Sequence, residues 1–457
     1  MTGKRHNSAH VEINMLEGPI LGRMLTFALP LMLSSVLQLL FNAADVIVVG
    51  KFAGDRSLAA VGSTSSLISL LTNFFLGLSI GVNVLVARFE GAGDEKAVKE
   101  TVHTAMITSL ASGLLLTGVG LVCGRGILAL MSTPAEVIDR AALYLRIYFL
   151  GMPAMMIYNF GAAILRSVGD TRRPLNYLFA AGILNVILNL FFVIVLKMDV
   201  AGVATATAIS QCLSAALVVR CLMRETGSIR LRLENLHFVR DKFTRILMIG
   251  FPAGLQSTLF SFSNVIIQST INSFGPVVVA GSAAASNIEG FVYISMNSFY
   301  QATLSFTSQN IGAGKYERIG KILRCGLACA FVTGLILGPG AVLNGKHLLD
   351  LYTDSPEVIA AGMQRLTMVA SCYFLCGMMD TMVGSIRGMG YAVLPMVVSL
   401  VGACGLRIVY IFTLFRLDAL HTPRGLFVTY PISWAVTLAA HIVCYIMIRR
   451  KHFLPES

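Results

Sequence analysis

The chain has 457 residues, 56% of them apolar and only 13% charged, with a formal net charge of +12. That balance excludes a soluble enzyme and reads as a polytopic membrane protein. No basic segment is interleaved with aromatic residues, which argues against a nucleic-acid partner and leaves the bilayer and small molecules.

In chain order, residues 1–19 form a tail that carries His6, His10, Glu12 and Glu17 and lacks an apolar core with a small-residue cleavage site. The first span is therefore expected to serve as the insertion signal. That span, Leu25–Lys51, places Asp45 about two turns from its far end. An Asp at a bilayer centre costs about 2.5–3.5 kcal/mol, so such residues face a bundle interior or cavity and mark an ion or substrate path. Gln38, Asn42 and Asp45 follow at spacings of four and three, on one face of a helix, and Pro30 provides a hinge near its start. The alternative reading has Asp45 at headgroup level, capping the next loop.

Charge-free runs follow at Ser57–Ala87, Thr101–Gly124, Pro174–Leu196, Val200–Val219, Gly290–Gly314, Cys325–Gly345 and Leu426–Ile448. Three further spans each hold one charge: Ala141–Gly169 (Arg146), Leu366–Ile386 (Asp380) and Gly388–Phe415 (Arg407). The run Ile246–Ile288 is too long for one crossing and is expected to turn at Phe274-Gly275-Pro276. The total is twelve transmembrane helices. If both termini are cytoplasmic, 24 of the 35 Lys and Arg lie inside and nine in outside loops, a positive-inside bias. The nine Cys sit almost entirely in spans and read as packing residues, without His partners at metal spacing.

The landmarks repeat. Gly91-Ala92-Gly93 returns as Gly312-Ala313-Gly314, and Leu165–Gly169 as Ile386–Gly390, each 221 residues on. Pro30 and Asn42 return as Pro252 and Asn264 at 222. The expected fold is all-α, with two pseudo-symmetric six-helix lobes, 20–223 and 242–450, around a central cavity. A cytoplasmic linker (224–241) joins them and a tail (451–457) follows.

Here the chain resembles a known family. Pro30 followed fifteen residues later by Asp45 in NAADVIVVG, QNIGAGK (Gln309–Lys315), LRSVGDTRRP with its echo IRGMGYAVLP, NVILN (Asn185–Asn189) and GVATATAIS (Gly202–Ser210) are similar to multidrug and toxic compound extrusion (MATE) transporters. The resemblance covers nearly the whole chain. It implies a cation site in the N-lobe, where Asp45 with Asn185, Asn189 and Thr207 binds a proton or Na⁺. One branch of the family carries a Glu eight residues after the proline of the seventh span. Position 260 here is Phe, and the pattern is closer to the DinF-like branch.

From the residues themselves, Asn185 and Asn189 share a face of the fifth span; they serve either the cation or helix packing. Asn159, Gln256, Asn264 and Asp380 are further candidates for a substrate cavity. Asp380 and Asn159 occupy equivalent places in the two lobes. Glu289, which aligns with Ile68, is either a cavity acid or a residue near the outer surface. Arg407 must find a partner, and Asp380 or Glu289 would supply a structural ion pair. His441 reads as a packed neutral imidazole. Met and Phe side chains lining a cavity would suit loosely specific binding of flat apolar cations.

The function expected is cation-coupled antiport, with H⁺ or Na⁺ entering as an amphipathic, cationic compound leaves. The alternative is a lipid-linked oligosaccharide flippase of the same superfamily. No catalytic constellation, cofactor or metal site is expected. The setting expected is the prokaryotic plasma membrane, with the chain monomeric.

Overall fold

The computed structural model describes residues 12–131 and 133–452, and the regular elements among them are all helical. Eleven helices are long and apolar enough to cross a membrane: α1 Ile20–Phe52, α2 Arg56–Ala92, α3 Glu95–Leu130, α5 Arg172–Val195, α6 Asp199–Arg224, α7 Arg240–Asn272, α8 Pro276–Gly312, α9 Tyr316–Leu343, α10 Pro356–Gly388, α11 Val393–Arg416 and α12 Pro423–Lys451. A twelfth span, α4, is a pair of segments, Ala135–Leu150 and Met152–Ser167, bent by 46°. The bend falls at Gly151, with Pro153 just beyond, where the missing N–H and the ring prevent a straight continuation. These helices are the twelve spans expected.

The breaks follow local chemistry. Gly275 sits at φ +91°, a backbone that side chains with a Cβ rarely adopt, and Pro276 starts α8 where its missing N–H costs nothing. The turn expected at Phe274-Gly275-Pro276 is therefore present. The Asp94 side chain accepts from the Ala97 N–H at 3.0 Å and caps α3. Asp170 accepts from the N–H groups of Arg172 and Arg173, each at 3.1 Å, at the start of α5. Arg173 also bonds both Asp170 and Glu225, tying the start of α5 to the end of α6.

The chain packs as two compact units. One is built on Leu33–Gly254, the other on Met15–Met32 together with the chain from Leu255 onward. These differ from the expected lobes (20–223 and 242–450) at two helices. The first part of α1 belongs with the second unit, and the first part of α7 belongs with the first. Both changes of unit come two residues after a proline inside the helix, Pro30 in α1 and Pro252 in α7. The interior of the first unit is apolar around Leu145, Phe149 and Phe160, and that of the second around Met382, Ile386 and Phe427. Between helices in lipid such contacts act through packing rather than through removal of surface from water.

Pro30 lacks the N–H that would reach the carbonyl of Thr26, so α1 is missing a rung just before it changes unit. Pro30→Ala supplies that donor. Amide hydrogen exchange in residues 27–34 is expected to slow in the variant, and unchanged exchange would remove the proline as the weak point of α1.

Candidate functional site

The polar face of α1 opens onto a cavity of about 310 Å³ within the first unit. Gln38, Asn42 and Asp45 line it from α1, Tyr144, Tyr148, Tyr158 and Asn159 from α4, Asn185 from α5, and Thr207 and Gln211 from α6. The expected spacing argument for α1 thus holds: one face carries the three polar side chains, and that face meets a cavity. Of the residues proposed for cation binding, Asp45, Asn185 and Thr207 line the cavity, and Asn189, fully buried, reaches it through its hydrogen bonds.

These four side chains form one network. The Asn189 amide donates to Asp45 Oδ1, and also to Asn185 Oδ1 at 3.2 Å. Asn185 Nδ2 donates to Thr207 Oγ1 at 3.3 Å. Thr207 has a single proton, with Val203 O at 3.0 Å and Asp45 Oδ2 at 3.5 Å as rival acceptors, so the shorter backbone contact claims it. Asp45 Oδ2 is therefore left with a long contact, while Asn189 Oδ1 is buried without a hydrogen-bond partner among the described residues. No ion pair to Asp45 occurs among the described residues. The site is a carboxylate and amide and hydroxyl oxygens with no resident positive charge, a donor set that suits a hard cation or a proton.

Local sequence explains why the network closes. Asn185 and Asn189 lie four apart and so share a face, and a π-helical turn, Phe191–Val195, follows them at the end of α5. Gly182, one turn earlier, lets Phe41 of α1 press against α5. A Cβ at Gly182 would overlap the Phe41 ring. That close approach brings Asp45 to Asn189. The aromatic wall is made of Tyr, where Met and Phe were expected. Tyr144, Tyr148 and Tyr158 lie near one face of α4, and Tyr144 stacks on Tyr148 at 5.8 Å. The i, i+4 spacing of Tyr144 and Tyr148 is the signal the sequence offered.

In the second unit the acids behave differently. Glu289 is buried and pairs with Arg365 through two bonds, Nε to Oε1 at 3.0 Å and Nη2 to Oε2 at 2.9 Å. Arg365 Nη1 donates to Ser282 at 2.8 Å. The structural ion pair expected of Arg407 is thus made by Arg365 instead. Arg407 donates from Nε to Ser433 at 2.8 Å and lies 4.2 Å from the Tyr430 ring and 5.5 Å from Trp434. Among the described residues no ion pair joins Arg407 to Asp380 or Glu289. Arg365 was missed because it immediately precedes the apolar run Leu366–Ile386 and so reads as a loop residue, whereas α10 begins nine residues earlier at Pro356.

Asp380 is half-buried and accepts a hydrogen bond from the Tyr293 hydroxyl. Gln256 accepts from Arg387 at 2.7 Å, and Asn264 is exposed on α7. Neither lines the cavity of the first unit. His441 is fully buried with Nε2 3.0 Å from the Ser399 hydroxyl, packed as expected.

Gly182→Val is expected to push α1 off α5 and part Asp45 from Asn189 while the helices still insert. Cross-linking by a bifunctional thiol reagent between Cys residues placed at positions 38 and 178, which leaves Phe41 in place, would detect the separation, and an unchanged yield would contradict it. Glu289→Gln leaves Arg365 buried without its counter-charge and is expected to destabilise the protein by about 3–5 kcal/mol. Thermal unfolding in detergent measures this, and an unshifted midpoint would count against the pair.

The family model described as MatE matches residues 30–191 and again residues 252–413. A Bacillus subtilis protein named "Probable multidrug resistance protein YoeA" is 27% identical over 419 residues, 90% of each chain. A Shewanella oneidensis protein named "FAD transporter" is 22% identical over 349 residues, 76% of this chain and 77% of its own. The solved structure described as "Outward-facing conformation of a multidrug resistance MATE family transporter of the MOP superfamily" has the same fold, with a TM-score of 0.88 at 22% identity over 96% of this chain and 97% of that one.

Proposed function

Because the chain belongs to the MatE family, matched over both of its halves, we propose that it exports small organic compounds by antiport against a cation, H⁺ or Na⁺, bound at Asp45. The observation that carries this reading is the Asp45–Asn189–Asn185–Thr207 network, an acid inside a membrane helix with no basic partner among the described residues. Leaving such a charge bare costs about 2.5–3.5 kcal/mol, so the site gains stability by taking up a proton or a hard cation. A proton would sit on the carboxylate and neutralise it. Na⁺ would take its charge from Asp45 and further oxygens from Asn189, Asn185 and Thr207.

Binding a cation does not by itself move a substrate. Coupling requires that cation and compound favour different states of the protein, and each then lowers the affinity of the other by the same factor. The cavity beside Asp45 offers Tyr144, Tyr148 and Tyr158, whose ring faces attract flat cationic compounds, so a positively charged substrate and the coupling cation would compete for one carboxylate. Pro30, where α1 lacks a rung, is the hinge in this reading. Both termini are cytoplasmic, in keeping with the Lys and Arg distribution.

The test is efflux of a fluorescent cationic dye from proteoliposomes with pH and Na⁺ gradients imposed separately. One gradient is expected to drive efflux in the native protein. Asp45→Asn keeps the shape and hydrogen bonding but cannot change charge, so its gradient-driven efflux is expected to fall at least about tenfold and not to recover at any pH. Normal efflux by Asp45→Asn, with a dead Asp380→Asn, would move coupling to the second unit and overturn the assignment.

A further inference from the structure

The duplication sets the two halves against each other position by position. Among the residues that line the cavity of the first unit are Ile68, Tyr144 and Asn159, and 221 residues later the chain has Glu289, Arg365 and Asp380. Asn185 and Gln211, also lining it, correspond at 222 to Arg407 and Ser433. Asp45 itself corresponds to Ile267, an apolar residue only 2% exposed. The second unit therefore has an apolar residue at the place of Asp45 and a guanidinium within one residue of the place of Asn185.

We propose that the second unit holds an anion site centred on Arg407, the inverted counterpart of the cation site of the first. Glu289 and Arg365 satisfy each other through their two parallel bonds, which removes both from the balance. Arg407 is 5% exposed, its Nε is committed to Ser433, and its Nη2 is buried with no hydrogen-bond partner among the described residues. Tyr430 and Trp434 attract the guanidinium through their ring faces, which still leaves Nη2 in need of an acceptor. Guanidinium N–H groups in low dielectric require such an acceptor, and a buried charge without one is costly.

With Glu289 and Arg365 cancelled, Asp380 set against Arg387 and Arg407 leaves one net positive charge, which calls for a singly charged anion. A dianion would overcompensate it. The ligand is thus a halide or the carboxylate of an organic compound, and the flat rings beside Arg407 suit an aromatic carboxylate. Such a ligand enlarges the substrate class beyond the cationic compounds of the antiport reading, yet the site stands or falls on binding, which is measured without transport.

Trp434 is the one Trp among 457 residues and lies 5.5 Å from Arg407, so the protein carries its own reporter. Purified full-length protein in nanodiscs would be titrated with sodium iodide and separately with sodium benzoate, at ionic strength held with sulfate, following Trp434 emission. Saturable change with either probe supports the site, and the tighter probe names its source. Arg407→Gln is expected to weaken the response at least about tenfold, the loss of one charge-assisted hydrogen bond. Arg407→Lys, which keeps the charge should the Gln variant not fold, is expected to retain saturation at lower affinity. Quenching by iodide that stays linear while benzoate has no saturable effect, or saturation unchanged in both variants, would overturn the proposal.

Discussion

A carboxylate inside a membrane helix must be neutralised by something, and the rest of this structure follows from how that is done. Glu289 is neutralised by Arg365, with two bonds in a buried pair. Asp45 has no such partner among the described residues and faces amide and hydroxyl groups instead. The difference decides what each acid can do. A pair closed on itself fixes the helices that carry it, whereas an acid surrounded by neutral dipoles is the one that, in the function proposed, takes up and gives up a mobile cation.

Duplication made both outcomes available. The same helix positions carry neutral groups in the first unit and charges in the second: Ile68 against Glu289, Tyr144 against Arg365, Asn159 against Asp380. The neutral version leaves an open cavity of about 310 Å³ beside Asp45. The charged version consumes part of its polarity internally, in the Glu289–Arg365 pair, and leaves Asp380, Arg387 and Arg407 without an ion pair among the described residues. Conserved architecture and divergent polarity give one fold two chemically distinct interiors.

Much of the fold was legible because a bilayer imposes length and polarity on every crossing: the twelve spans, the turn at Gly275-Pro276 and the duplication all follow from runs of apolar residues and recurring landmarks. The polar stripe Gln38/Asn42/Asp45 and the pair Asn185/Asn189 were legible for the same reason, since helical spacing alone puts them on common faces. What was not legible depends on contacts between helices distant in sequence. Arg365 looks like a loop residue until α10 is seen to start at Pro356, and the pairing assigned to Arg407 failed because Glu289 was already satisfied. The approach of Phe41 to Gly182 leaves no trace in either segment alone. The passage of α1 and α7 from one unit to the other is likewise hidden, although Pro30 and Pro252 mark where it happens.

The central claim is that one cation sits at Asp45 and is given up when a substrate binds. The most direct measurement is the release of protons, or of ²²Na⁺, from purified protein on addition of a transported cationic dye, with no membrane gradient present. The account predicts about one cation released per protein, and none from Asp45→Asn, because differential affinity for two ligands requires a group whose charge can change. Equal release from the native protein and from Asp45→Asn would contradict it.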